Sequence, residues 1–251
     1  VRTARFLWVC LGACLAVLGF LAFQFTMNSG SGFLDDRAKS PAVVSTLFLW
    51  LLAALLGTFP AVLVGSYLGG KDEVGRTQAN LVHAGGRLPT LGAKVGALLV
   101  VSIIVTVIVW AWGSVLGAAA SAGRATAPLF GENLGAQLAI VVTVLFLTGL
   151  LALTVSTVTR SVVLGNVIAF TVLLGQQFIP GVLGQTLQWV NPFAYVQAFT
   201  LDVFTELSQV SAVTVAATTV TAAEGFMWGA ACVALQVVVL VVLSARREVS
   251  A

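Results

Sequence analysis

Six stretches of this chain contain no ionisable side chain, and together they dictate the solvent it folds in. No Asp, Glu, Lys, Arg or His occurs from Phe6 to Leu34, Ser40 to Gly70, Val95 to Gly123, Asn133 to Thr159, Ser161 to Leu201 or Gly225 to Ala245. Each exceeds the ~20 apolar residues that carry an α-helix across a hydrocarbon core of about 30 Å. In lipid a backbone must satisfy its own hydrogen bonds, so such stretches become helices. Only 8% of the residues are charged, against roughly 25% for an ordinary soluble domain. The sequence therefore predicts an all-α integral membrane protein, a single transmembrane domain over residues 1–251. Six transmembrane helices are expected, at roughly 6–26, 43–68, 94–117, 135–158, 162–184 and 225–244.

Lysine and arginine set the orientation, because cytoplasmic loops carry them in excess. With both termini cytoplasmic, that side holds Arg2, Arg5, Lys71, Arg76, Arg87, Lys94, Arg160, Arg246 and Arg247, and the outer side only Arg37, Lys39 and Arg124. The expected location is the cytoplasmic (plasma) membrane, multi-pass. The net charge of +3 reflects this asymmetry and gives no reason to invoke nucleic acid.

Two connecting segments are long enough to carry function. In the cytoplasmic one, KDEVGRTQANLVHAGG predicts a short amphipathic helix. Asp72 and Glu73 stand at its start, Val74, Leu81 and Val82 share a side, and Gly85-Gly86 stops it. The residues alone allow two roles, resting on lipid headgroups or docking a cytosolic partner. The outer segment, Pro180 to Glu224, opens with Pro180-Gly181 and contains the run LQWVNPFAY. It reads as a broken end of the fifth span followed by short helices that dip back into the outer leaflet.

Gly65, Gly70 and Lys71 fit the G-x-x-x-x-G-K spacing of a phosphate-binding loop. The next position decides against it. Asp72 stands where a hydroxyl must ligate magnesium, and a charge-free helix precedes Gly65 in place of a strand. Apart from Lys94 at the edge of the third span, no Asp, Glu, Lys, Arg or His lies inside the spans, so intramembrane proteolysis and proton coupling lack their residues. The single histidine, His83, belongs to the cytoplasmic segment, and Cys10, Cys14 and Cys232 read as small packing residues. The chain is expected to be no enzyme, with no metal or cofactor of its own. The polar relief within the spans is neutral, notably Asn166, Gln176 and Gln177. These either bond neighbouring helices or contact a substrate.

This layout resembles the membrane subunits of type-2 ABC exporters. That family has six spans, cytoplasmic termini, a coupling helix between spans two and three, and re-entrant helices between five and six. Glu73, Gly75, Thr77, Leu81, Arg87, Pro89, Ala93 and Lys94 follow the family's coupling pattern, with Arg76 inserted and Pro after Arg as departures. The run LQWVNPFAY looks like its Asn-Pro element. The resemblance covers nearly the whole chain. It implies a permease subunit exporting a hydrophobic or amphipathic substrate such as a drug, lipid or peptide antibiotic. A separate cytosolic ABC ATPase would bind ATP and Mg and grip Asp72, Glu73, Gly75, Arg76, Thr77, Leu81 and Val82. A second permease chain, identical or sibling, would complete the path past Asn166, Gln176 and Gln177. The rivals are a non-transporting membrane scaffold and a secondary carrier. The carrier fold usually shows two related halves with paired helix breaks, and one break is seen here.

Overall fold

The computed structural model describes residues 12, 16, 49, 57–74, 87–120, 134–183 and 222–249. Most of the first span, most of residues 43–56 of the second, Gly75 to Val82, and most of the outer segment lie outside the described residues. Those described form five helices and no strands: α1 (Thr58–Val74), α2 (Arg87–Ala120), α3 (Leu134–Thr159), α4 (Val162–Leu183) and α5 (Ala222–Val249). Two of them, over Pro89–Val115 and Leu134–Thr159, are long and apolar enough to cross a membrane. Residues 99–109 of α2 read LVVSIIVTVIV, a β-branched run with weak intrinsic helix preference in water. Its helicity fits an environment where an unpaired backbone group has no water to turn to.

The chain divides into two compact units. The first comprises Val1–Pro60, Ile104–Val141 and Thr200–Ala217. In it Val105, Val109, Ile140 and Val141 are buried. Gly113 approaches the backbone of Leu49 so closely that a Cβ there would stand 3.4 Å from the Leu49 nitrogen. The second unit comprises Ala61–Ile103, Val142–Phe199 and Thr218–Ala251 and holds two apolar clusters. One joins Val62, Leu147, Ala152 and Ala169, with Phe170 and Val233 against them. The other joins Leu98, Leu150, Leu153 and Leu240, with Leu68, Leu91 and Val237 against them.

Small residues set the spacing inside this second unit. Along α1, Ala61, Val62, Gly65, Ser66, Gly69 and Gly70 are buried while the pairs between them are partly exposed, a stripe repeating every four residues. Gly65 meets the Gly149 carbonyl, and a Cβ at Gly69 would stand 2.8 Å from that of Ser156. Side chains are absent where backbones touch, as small-xxx-small helix pairs require. The contact moves from Gly149 to Leu153 and Ser156 as α1 advances from Gly65 to Gly69, so α1 and α3 run in the same direction.

Helix α4 returns along α3 after a two-residue turn. Arg160 takes the left-handed conformation, φ 56°, which ends α3 at some steric cost for a residue with a Cβ. Ser161 then caps α4: its hydroxyl accepts from the Leu164 amide at 3.3 Å, and its carbonyl accepts from the Gly165 amide at 3.0 Å. Gly165 lies against Ser156, whose Cβ would be 2.8 Å from a Cβ at 165. Gly165→Ala is therefore expected to lower stability by about 1–3 kcal/mol, the usual range for overpacking. Ser156→Gly in the same chain should restore much of it. Thermal melting of the single and double variants in mild detergent measures both.

Polarity runs opposite to that of a soluble bundle. Ser66, Ser102, Thr148 and Ser156 are fully buried, whereas Val163 is 69% exposed and Val100, Ile104, Val107, Val167 and Leu235 are exposed as well. The buried hydroxyls of Ser102, Thr148 and Ser156 donate to their own helix at Leu98, Leu145 and Ala152, at 2.9, 2.9 and 2.7 Å. Hydroxyls satisfied in this way need neither water nor a neighbouring helix.

The expected boundaries of the fourth and fifth spans agree with α3 and α4 to within one residue, and the helix restart near Pro89 falls inside the first turn of α2. Proline is tolerated there because the first amides of a helix have no internal partner. Three expectations change. The helix of the second span, expected to end near residue 68, runs on through Gly69 and Gly70. They are buried, Gly70 with its Cβ position 2.6 Å from Val162 Cγ2, and the helix passes through them to Val74. Asp72 and Glu73 consequently close α1 instead of opening a separate helix. Pro180-Gly181 does not break the fifth span either, since α4 continues to Leu183. A proline this near a helix end removes one hydrogen bond and leaves few later turns to redirect.

Candidate functional site

The basic residues gather where the helix ends do. Leu68 of α1, Leu91 of α2, Leu153 of α3 and Leu240 of α5 belong to one cluster, so this layer sits near the C-terminal ends of α1, α3 and α5 and the start of α2. Lys71, Arg87, Arg160, Arg246 and Arg247 lie beyond that layer, within seven residues of it along the chain, and Lys94 lies within it. One end of the second unit thus carries the cationic positions.

Asp72 and Glu73 occupy the last turn of α1 at that same end. Gly75, Arg76, Thr77, Leu81 and Val82 lie outside the described residues.

Of the three pathway candidates, Asn166 is half-buried and its Oδ1 has no hydrogen-bond partner. Gln176 and Gln177 are in α4, ten and eleven residues further on. At 1.5 Å per residue they stand about 15 Å from Asn166 along the axis. The three positions are therefore not one patch. At about 100° per residue, position 177 returns to within ~20° of the Asn166 direction and position 176 is ~80° away. The line from Asn166 to 177 is a face of α4 running along the bundle.

Reading the sequence missed Ser66. It is fully buried and its hydroxyl is without a hydrogen bond. The available signal was its place in the four-residue stripe Val62, Ser66, Gly70, where a polar group interrupts small and apolar ones. Gln236 of α5 also has a buried, unpartnered Oε1. Among the described residues no group of three or more His, Cys, Asp and Glu comes together. The chain matches no protein-family model, no curated protein and no solved structure.

Proposed function

We propose that the chain is a multi-pass permease subunit with six spans and cytoplasmic termini. In this reading it exports a hydrophobic or amphipathic substrate, driven by a separate cytosolic ABC ATPase. The observation that carries the reading is the gathering of cationic helix ends on one side of a bundle whose outward residues are apolar. The positive-inside rule makes that side cytoplasmic, and the connection from α1 to α2, with its coupling-like residues, leaves from it. The ATPase holds ATP and Mg, and the permease contributes the docking segment from Asp72 to Val82 and the path along α4. Movement requires that the ATPase bind one arrangement of the permease better when nucleotide is present. An apolar path relieved only by Asn166 and the two glutamines would suit an oily or amphipathic cargo and offer a small ion little.

Gentle affinity purification of the full chain from its native membrane tests the assignment. A cytosolic protein with a true phosphate-binding loop is expected in near one-to-one amounts, together with a second permease chain. A scaffold or a self-sufficient carrier would come without a stoichiometric ATPase, and that result would overturn the reading.

A further inference from the structure

Eight hydroxyls in the described helices donate to carbonyls three or four residues back in the same helix: Ser102, Ser114, Thr148, Thr154, Ser156, Thr157, Thr159 and Thr171. Ser66 has the same opportunity and does not take it, although it is 0% exposed. A buried hydroxyl without a partner carries a desolvation penalty. Its neighbours identify what it faces. Val62 and Gly70 lie one turn to either side of it on α1. Val62 shares a cluster with Ala169 of α4, and Gly70 abuts Val162 of α4. Asn166 lies between Val162 and Ala169, on the same face of α4 by the i, i+4, i+7 rule. The Gly70–Val162 contact on one side and the cluster shared by Val62 and Ala169 on the other therefore put Ser66 and Asn166 near one level of the α1–α4 seam, and Asn166 Oδ1 is the other buried oxygen there without a partner.

We propose that Ser66 and Asn166 form a buried polar site between α1 and α4 that binds one water molecule. The Ser66 hydroxyl donates to the water, and the water donates to Asn166 Oδ1, so both stranded atoms gain a partner. Competing occupants fit less well. Two neutral oxygens are too few for a metal cation, since calcium or magnesium takes six or more oxygen ligands. An ammonium group would be a buried charge without a counter-ion, a penalty of several kcal/mol. Water needs at least two polar partners, and the two stranded oxygens supply them. The site holds whether or not the chain transports anything, so its fate and that of the transport reading are separate.

The test is a density map of the full chain in lipid nanodiscs, at a resolution that shows ordered water, for the native protein and for Ser66→Ala. The expected result is a peak within about 2.5–3.0 Å of both Ser66 Oγ and Asn166 Oδ1, the range of O–H···O bonds, and its loss in Ser66→Ala. A direct Ser66–Asn166 hydrogen bond, or the two side chains facing other groups with no peak between them, overturns the proposal. Should Ser66→Ala not yield a folded chain, the native map decides alone.

Discussion

Gly65→Val is expected to abolish the folded chain, with loss of the monodisperse species on size-exclusion chromatography in mild detergent. Gly65 packs on the backbone carbonyl of Gly149, and a Cβ at 65 would overlap that peptide group. A side chain in the way could rotate aside, but a helix backbone can move only if α1 and α3 separate. Separation would strip the seam that also places Gly69 against Leu153 and Ser156. The cost exceeds the usual overpacking range of about 1–3 kcal/mol, and a small apolar bundle has little stability to absorb it. The control is internal. Gly92 and Gly96 of α2 have nothing within 4 Å of their Cβ positions, so Gly96→Ala should leave the elution profile and melting temperature unchanged or slightly improved. Normal behaviour of Gly65→Val would mean that the α1–α3 approach is wrong.

On the transport reading proposed above, reversing Glu73 or charging Leu81 should uncouple the chain from the proposed ATPase. Glu73→Lys puts a cation among the basic helix ends and removes the acidic group that the proposed partner would contact. Like-charge juxtaposition at an interface costs several kcal/mol. Leu81→Asp asks an apolar contact to bury a carboxylate, which is no cheaper. Each variant is expected to cut ATP-dependent substrate movement in proteoliposomes by about tenfold or more, since 1.4 kcal/mol already corresponds to a factor of ten. The melting temperature of the isolated chain is expected to stay near the native value, which separates loss of docking from loss of fold. If both variants assemble with the ATPase and turn over normally, residues 72–82 are not the docking element.

Charge marks what was legible in the sequence. Arg160 ends one apolar stretch and begins the next, and the boundaries of α3 and α4 were readable from it to within a residue. Pro89 located the restart of α2 equally well. Residues whose meaning depends on a neighbour were misread. Gly69 and Gly70 look like a helix exit when seen alone, yet their lack of a side chain serves contact with Ser156 and Val162. Pro180 reads as a breaker by local rules, and the helix absorbs it near its end. Ser66 looks unremarkable in AVLVGSYLGG until α4 is laid beside it. Of the candidate site, the grouping of basic ends followed from counting lysines and arginines. The spread of Asn166, Gln176 and Gln177 along α4 shows only once the rise per residue is applied to one unbroken helix.

The two-residue connection at Arg160 and Ser161 bears on how the protein is made. Helix α3 is 26 residues long, about 39 Å at 1.5 Å per residue, and α4 turns back at once with no slack to wait in water. On the multi-pass reading proposed above, neither arm has the slack to settle in lipid far ahead of the other, and α3 and α4 would enter as a hairpin whose glycine-to-serine contact is already in register.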